Sequence, residues 1–156
     1  MTETFIAEKR VTINAPVDVV WQTLIDPTLV KQYMHGTNMQ TTWEVGSLIT
    51  WKGEWQGKTY EDKGTVLAVE PNKLLRITHW SPMGGSEDRP ENYHTVTYEL
   101  AERGGETVLT LKQDNNASQE EADAMADKNW GPVLEGLRAV AEKERQSEKR
   151  RSPSRR

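Results

Sequence analysis

The chain has 156 residues and no cysteine, which excludes disulfide bonds, thiolate metal sites and cysteine nucleophiles. This length suits one hydrophobic core and is short for two, so a single domain is expected. The net charge is −4, and the stretch 145–156 carries six basic residues and one acidic residue (+5). Residues 1–144 therefore carry about −9 (−4 minus +5), which disfavours nucleic-acid binding by this part of the chain.

The first part of the chain predicts a strand followed by two short helices. Apolar residues alternate along Phe5–Ile13, as in a half-buried strand. Asn14 is expected to cap a helix whose apolar face spans Val17–Ile25 at intervals of three and four residues. Asp26-Pro27 then predicts the end of this helix and the cap of a second one, with Tyr33 on its apolar side.

The middle of the chain predicts short strands joined by turns. Gly64 lies inside the longest of them and predicts a bulge or a sharp bend, which would curl the sheet. The polar segment Ser81–Asn92 contains two prolines and two glycines and predicts a loop at the rim of the sheet. The six predicted strands are Met39–Trp43, Ser47–Trp55, Lys58–Glu70, Leu74–Trp80, Tyr93–Ala101 and Glu106–Asp114.

The end of the chain predicts one long helix and a charged tail. Ser118 starts a capping box, and the apolar spacing continues to about Glu144, which predicts a helix over Ser118–Glu144. Pro132 removes one backbone hydrogen bond, so a kink is expected just before it, near Lys128–Gly131. Residues 145–156 contain no apolar side chain and are expected to be a disordered basic tail after a domain of residues 1–144.

Together these elements predict an α+β fold in which an antiparallel sheet wraps around the closing helix and leaves a cavity. Ile49, Trp51 and Trp55 share one parity of their strand and face one side of the sheet together. If that side is concave, the indole rings line the cavity, whereas on the convex side they would form an exposed patch. We favour the concave side for Trp51. For Trp55 the sequence does not decide between the two sides, because a turn follows it directly.

Several motifs in this order resemble a known family. They include Ala15-Pro16 with Val20-Trp21, then Asp26-Pro27, Val69-Glu70-Pro71, Thr95–Leu100, and Trp130 with Leu134 and Leu137. Over about residues 5–143 they resemble the SRPBCC superfamily of START-like domains, in the subgroup of homologues of the heat-shock-protein-90 ATPase activator. The resemblance implies a helix-grip fold, with a curved antiparallel sheet of about six to seven strands around a long C-terminal helix and two short helices after strand 1. Superfamily members include lipid carriers, hormone receptors and cyclases, so the fold does not determine the function.

The resemblance and strand alternation together predict which residues line the cavity. The similarity places Ile77 and His79 on the concave face, and alternation along the next strand adds His94 and Tyr98. The two histidines would then flank each other at the cavity, or alternatively lie in solvent at the strand ends. The predicted ligand-binding residues are Tyr33, Trp51, Tyr60, Ile77, His79, His94, Tyr98, Met125 and Trp130.

The sequence contains few patterns for catalysis or metal binding. His35, His79 and His94 have no metal-ligand spacing, so no metal or other cofactor is expected. The chain also lacks a Gly-x-Ser-x-Gly nucleophile elbow and a phosphate-binding glycine loop. Acid–base candidates for a cavity enzyme are polar residues that could face the ligand, but their spacing singles out no pair. They are Tyr60, His79, His94, Tyr98 and Gln113.

The sequence therefore predicts binding of a small hydrophobic or aromatic molecule, such as a lipid, a polyketide or a flavonoid-like compound. The first alternative is a co-chaperone-like module related to activators of heat-shock protein 90, and the second is a cavity enzyme of the polyketide-cyclase type. Nucleic acid is expected to make at most weak contact through residues 145–156. The chain shows no apolar signal segment and no membrane-length apolar stretch, so a cytoplasmic protein without membrane contact is expected.

Overall fold

The computed structural model describes residues 5–34, 36–82 and 85–151 and has the expected α+β helix-grip architecture. A π-helical turn (Met125–Trp130) joins the two parts of the closing helix, and a 3-10 turn (Pro90–Asn92) precedes the sixth strand. The strands and α-helices are β1 (Phe5–Ile13), α1 (Val17–Ile25), α2 (Pro27–Tyr33), β2 (Asn38–Gln40), β3 (Leu48–Trp55), β4 (Lys58–Glu70), β5 (Leu74–His79), β6 (His94–Arg103), β7 (Glu106–Asn116), α3 (Gln119–Ala124) and α4 (Gly131–Arg151).

The seven strands form one antiparallel sheet in the order β1-β7-β6-β5-β4-β3-β2. Alternate residues on one face of this sheet are buried, and we call this the inner face. The hydrophobic core lies between the inner face and the helices, since Val20, Val30 and Leu137 are buried in one cluster with Ile77 and Leu111. None of the described helices is both long enough and apolar enough to cross a lipid bilayer.

The pairing of strand β4 indicates a bend, as Gly64 predicted. Its first part pairs with β3 through Leu48↔Thr65, and its second part pairs with β5 through Val66↔Ile77. A Cβ atom on Gly64 would lie 1.8 Å from the carbonyl oxygen of Thr78, so no side chain fits at this close approach of two strands. The register irregularity itself falls between Val66 and Ala68, just after the glycine.

The predicted cap of α1 is wrong. Pro16 is the N-cap, with φ −67° and ψ 159° and no side-chain hydrogen bond, and its carbonyl accepts from the next turn. Asn14 instead connects the end of β1 to the last helix. Its backbone N–H donates to Glu142 (2.9 Å), and its side-chain oxygen accepts from Arg145 (3.0 Å). A long-range contact therefore replaced the local capping that the sequence suggested.

Strand β2 and helix α4 also differ from the expected ranges. Strand β2 covers only Asn38–Gln40, and Trp43, the last residue of the predicted strand, has φ +64°, which is not an extended conformation. Helix α4 continues through Arg151. The expectation of a disordered tail is therefore wrong for residues 145–151. Lys, Arg, Glu and Gln are good helix formers and can extend an anchored helix without an apolar face. Residues 152–156 lie outside the described ranges.

Where the sequence predicts a kink, directly before Pro132, the structure has the π-helical turn Met125–Trp130. An inserted π turn is a usual way for a helix to change direction, and it rotates the side chains that follow it. The turn is held to the sheet on its outer side, because the ammonium of Lys9 lies 3.1 Å from the carboxylate of Asp127. The turn thus aims Trp130 at the inner face.

The close approach at Gly64 gives a stability prediction. Gly64→Ala should lower the free energy of unfolding by at least about 3 kcal/mol, because the new methyl group meets a backbone carbonyl that cannot rotate away. Gly131→Ala is the matched control. Its added Cβ would be 3.6 Å from the nearest atom, so helix propensity should make it neutral or up to about 1 kcal/mol more stable. Urea unfolding of both variants, monitored by circular dichroism, would measure this. Equal effects would contradict the proposed role of Gly64.

Candidate ligand-binding cavity

A cavity of about 660 Å³ lies between the inner face of the sheet, helix α2 and the π-helical turn. All nine residues that the sequence predicted for the site line it, although their role in ligand binding stays a prediction. They are Tyr33, Trp51, Tyr60, Ile77, His79, His94, Tyr98, Met125 and Trp130. The sequence left open which side of the sheet Trp51 and Trp55 face. Trp51 is buried on the inner face, whereas the side chain of Trp55 lies outside the described parts of the chain, as does His35.

Strands β5 and β6 build one wall of the cavity through their register. His79 pairs with His94, and two residues further along Ile77 pairs with Val96. Both pairs line the cavity, because residues two apart on a strand point to the same face. The family resemblance had placed Ile77 and His79 on this face, and strand alternation had added His94. The two histidines lie opposite each other and line the cavity, half-buried at the strand ends, which is the first of the two arrangements that the sequence left open.

The helix side of the cavity is attached to the sheet by a buried hydrogen bond. The indole N–H of Trp130 donates to the side-chain oxygen of Gln113 on β7 at 3.1 Å. Gln113 is only 3% exposed, so this bond satisfies a polar group that would otherwise be costly to bury. Gln113, an acid–base candidate from the sequence, is thus engaged in holding Trp130 in place.

Two buried tyrosines differ in how their hydroxyl groups are used. The hydroxyl of Tyr33 donates to the backbone carbonyl of Thr23 at 3.1 Å. The hydroxyl of Tyr98 makes no hydrogen bond with any residue in the described ranges. Burial raises the pKa of Tyr98, and burial followed by the proximity of Tyr98 raises the pKa of Tyr33. Tyr98 therefore presents a neutral hydroxyl group with unused hydrogen-bonding capacity in the cavity wall.

A histidine–aspartate pair lies at the other end of the wall. Nε2 of His79 is 2.9 Å from Oδ2 of Asp62, and the edge of the Trp51 ring packs on the imidazole with centroids 5.1 Å apart. Oδ1 of Asp62 is buried and accepts no hydrogen bond from the residues that the structure describes. Asp62 was not among the residues that the sequence predicted for the site. The hairpin register, which places Asp62 opposite Trp51, is the signal that could have found it.

The tautomer of His94 is set by a backbone group. Nδ1 of His94 lies 2.8 Å from the carbonyl oxygen of Asp114, which can only accept, so Nδ1 carries the hydrogen. In the neutral ring, Nε2 is then an acceptor. His94 also lines the cavity, and it lies directly across the strand pair from His79. The strand pairing thus brings two imidazoles, each with one nitrogen already engaged, to the same part of the wall.

The loop after β5 is held at the rim by polar contacts. Trp80 stacks on Tyr93 with ring centroids 6.1 Å apart, and Lys63 forms an ion pair with Asp88 at 2.5 Å. The hydrogen bond from Lys63, followed by that from Tyr93, lowers the pKa of Asp88, and the bond to Asp88 raises that of Lys63. These groups are solvent-exposed, so each contact contributes little stability on its own. Together they position Ser86 and Trp80, which line the cavity.

No group of three or more His, Asp or Glu residues in the described ranges is arranged to hold a metal ion. Tyr60, another of the acid–base candidates, shares a 2.5 Å hydrogen bond with the hydroxyl of Thr37. Among the five candidates, Tyr60 and Gln113 bond to neighbouring side chains, and His79 bonds to a carboxylate. His94 bonds to a backbone carbonyl, and Tyr98 has no hydrogen-bond partner in the described ranges.

Comparisons with known proteins give consistent results. The profile of a family described as Activator of Hsp90 ATPase homolog 1-like protein matches residues 14–142. The solution structure of ChR145 from Cytophaga hutchinsonii is 43% identical, with a TM-score of 0.80, and the match covers 92% of this chain and 98% of that one. No curated protein matches the chain.

Two more distant structures share the fold. The Aha1 dimer from Colwellia psychrerythraea is 19% identical with a TM-score of 0.67, over 90% of this chain and 97% of that one. DynU16, described as a putative protein in the dynemicin biosynthetic locus, is 20% identical with a TM-score of 0.72, over 90% of this chain and 48% of that one. At these identities the likeness shows the common architecture only.

The burial of Tyr98 predicts a pH effect on stability. Burial raises the pKa of Tyr98 in the folded state, so the unfolded chain loses the hydroxyl proton at a lower pH than the folded chain does. The contribution of Tyr98 to the free energy of unfolding is therefore fully present below about pH 10 and is lost as the pH rises above that value. Tyr98→Phe should remove this loss, by up to about 1.4 kcal/mol for each pH unit above 10. At pH 7 it should change the free energy of unfolding by less than about 0.5 kcal/mol, since no hydrogen bond is broken. Urea titrations from pH 7 to pH 11 test this, and parallel curves for both proteins would contradict it.

Proposed function

The chain belongs to the family of Activator of Hsp90 ATPase homolog 1-like proteins, and from this premise we propose that it binds a small apolar or aromatic molecule in its cavity. The observation that carries the proposal is the cavity of about 660 Å³, whose wall combines aromatic rings with polar groups that have unused hydrogen-bonding capacity. Small-molecule sites usually measure about 300–1,000 Å³ and have this composition.

The aromatic side chains favour a flat ligand. Trp51 and Tyr60 line the sheet side, and Trp130 lines the helix side. Trp51 and Trp130 are also held in place, one by the ring of His79 and the other by its bond to Gln113. Rings fixed in this way offer large apolar surfaces at little entropic cost, which suits stacking on a planar compound.

The polar groups favour a ligand with oxygen or nitrogen substituents over a plain hydrocarbon chain. Tyr98 lies opposite Leu75 in the β5–β6 pair, and His94 lies four residues earlier on the same strand. At about 3.4 Å per residue this separates them by about 14 Å along the wall. A polycyclic polyketide or a flavonoid-like molecule has polar substituents at comparable spacings, and we place such compounds ahead of simple lipids.

Filling the cavity should weaken binding. Val133 lines the cavity from α4, and Ala139 lies on the exposed side of the same helix. A nuclear magnetic resonance screen of lipids, flavonoids and polyketide-like compounds would first find a ligand that shifts the indole N–H signals of Trp51 and Trp130. Val133→Trp should weaken its binding at least about tenfold, which corresponds to about 1.4 kcal/mol. Ala139→Trp should leave the affinity within about twofold. Similar affinities for both variants would contradict the proposed site.

A second candidate, binding to a chaperone, is favoured by the family description and by one surface feature. Val45, Leu48 and Leu67 are large apolar side chains exposed by 68%, 61% and 40%, and we call them the outer patch. The backbone bond from Gly46 to Val66 holds them near one another on the sheet. Exposed apolar patches often bind proteins, although scattered exposed residues are also normal.

We expect the protein to leave the ATPase rate of the heat-shock protein 90 of its host unchanged at low salt, because the cavity carries the function proposed above. A coupled assay of ATP hydrolysis, with increasing amounts of the purified protein, measures this. The outer-patch variant Leu48→Ser and the cavity variant Val133→Trp distinguish the two candidates. A several-fold increase in rate that Leu48→Ser abolishes and Val133→Trp retains would support the chaperone candidate instead.

A further inference from the structure

One end of the cavity is lined by a carboxylate, and one of its oxygens has no hydrogen-bond partner among the described residues. Asp62 lines the cavity, and its Oδ2 is held by His79 at 2.9 Å. Its Oδ1 is buried and receives no hydrogen bond from the described residues. A buried carboxylate oxygen without a donor is unfavourable, since it has lost water and gained no replacement. It therefore fits best against a donor that arrives with a ligand.

His79 adds a second acceptor at the same place. Because a carboxylate can only accept, Nε2 of His79 carries the hydrogen in the bond to Asp62. The other nitrogen, Nδ1, is then an acceptor in the neutral ring, and no described residue donates to it. The side of Asp62 and His79 that remains available thus accepts hydrogen bonds.

His94 also has one ring nitrogen that can accept a hydrogen bond. Its Nδ1 donates to the carbonyl oxygen of Asp114, so its Nε2 is an acceptor in the neutral ring. The pairing His79↔His94 places both rings on neighbouring strands of the same wall. Three acceptor atoms, one of them on a carboxylate, therefore come from adjacent parts of this wall, and we call these residues the acceptor cluster (Asp62, His79 and His94).

We propose that the acceptor cluster selects ligands that carry a hydrogen-bond donor on an aromatic ring system, a phenolic or enolic O–H or an amine N–H, and disfavours ligands with a carboxylate. This inference rests on the proposed function, because it concerns which molecules the same cavity accepts. The donor hydrogen-bonds to the acceptor cluster, whose negative charge comes from Asp62, while the ring system packs beside Trp51, which lies opposite Asp62 in the β3–β4 pair. A bond of this kind to a charged group contributes about 1.5–3 kcal/mol.

Four naphthalene probes of nearly equal size test the proposal. They are 2-naphthol, 2-naphthylmethylamine, 2-methoxynaphthalene and 2-naphthoate. Titrations followed by nuclear magnetic resonance should show 2-naphthol or the amine binding at least about tenfold more tightly than the methyl ether, the ratio that about 1.4 kcal/mol gives. The carboxylate should bind more weakly than the ether. The order of the alcohol and the amine distinguishes a neutral from a cationic donor.

Matched variants locate the effect. Asp62→Leu keeps the approximate side-chain size and removes the acceptor, so it should bring the donor-to-ether ratio to within about twofold while the ether still binds. Glu61→Leu makes the same change on the neighbouring residue of β4, which is exposed, and it should keep the full preference. If Asp62→Leu fails to fold, Asp62→Asn removes the charge and replaces one acceptor oxygen with an N–H donor, and it should lower the ratio at least about threefold.

The outcomes separate this inference from the proposed function. Binding of the ether and the alcohol with equal affinity, or tighter binding of the carboxylate, would overturn donor selection and leave the cavity as a binding site. A preference that survives Asp62→Leu would overturn the role of the acceptor cluster. Failure of all four probes to bind at millimolar concentration, with the Trp51 and Trp130 signals unchanged, would contradict both the proposed function and the inference that rests on it.

Discussion

The bend in strand β4 is the constraint on which the rest of the structure depends. One strand pairs with β3 along its first part and with β5 along its second, so the sheet changes direction where the carbonyl of Thr78 lies against Gly64. A straight helix cannot follow both parts of such a sheet. Helix α4 packs against β1, α1 and α2, whereas the inner face of β3, β4 and β5 is left to large side chains and the cavity. The cavity is thus a consequence of the curvature, and the π-helical turn brings Trp130 toward it.

Most buried polar groups in this structure have protein partners, which makes the exceptions informative. Thr23 donates to the carbonyl of Val19, and Thr107 donates to the carbonyl of Ala15, each at 2.8 Å. The first bond lies within α1, the second joins β7 to the segment before α1, and neither requires a ligand. The buried oxygen of Asp62 breaks this pattern in the described ranges, and it does so at the cavity wall. Buried polar groups that the fold leaves unsatisfied tend to lie at functional sites, because a bound molecule can supply the missing hydrogen bond there.

Strand alternation predicted much of the site, because period two determines which side chains share a face. It placed His94 and Tyr98 together, and the hairpin register explains why they line the same wall. It could not show that His79 meets Asp62, since that contact joins two strands whose pairing depends on the bend. The ends of the elements were less predictable. Asn14 looked like a helix cap but bonds to Glu142, a residue far along the chain that no local pattern points to.

The energetics of Asp62 argue that its position is not required by the fold. Leaving one buried oxygen unpaired costs about 1–3 kcal/mol, and more for a charged group. This is a large fraction of the roughly 5–15 kcal/mol by which domains of this kind are usually stable. A leucine of similar size would fill the same space opposite Trp51 and pack against its ring without that cost. The bond to His79 does not offset the difference, because His79 is half-buried at a strand end and water can reach part of it. Stability alone therefore favours an apolar residue at this position, and the carboxylate is better explained by what it does to a molecule in the cavity.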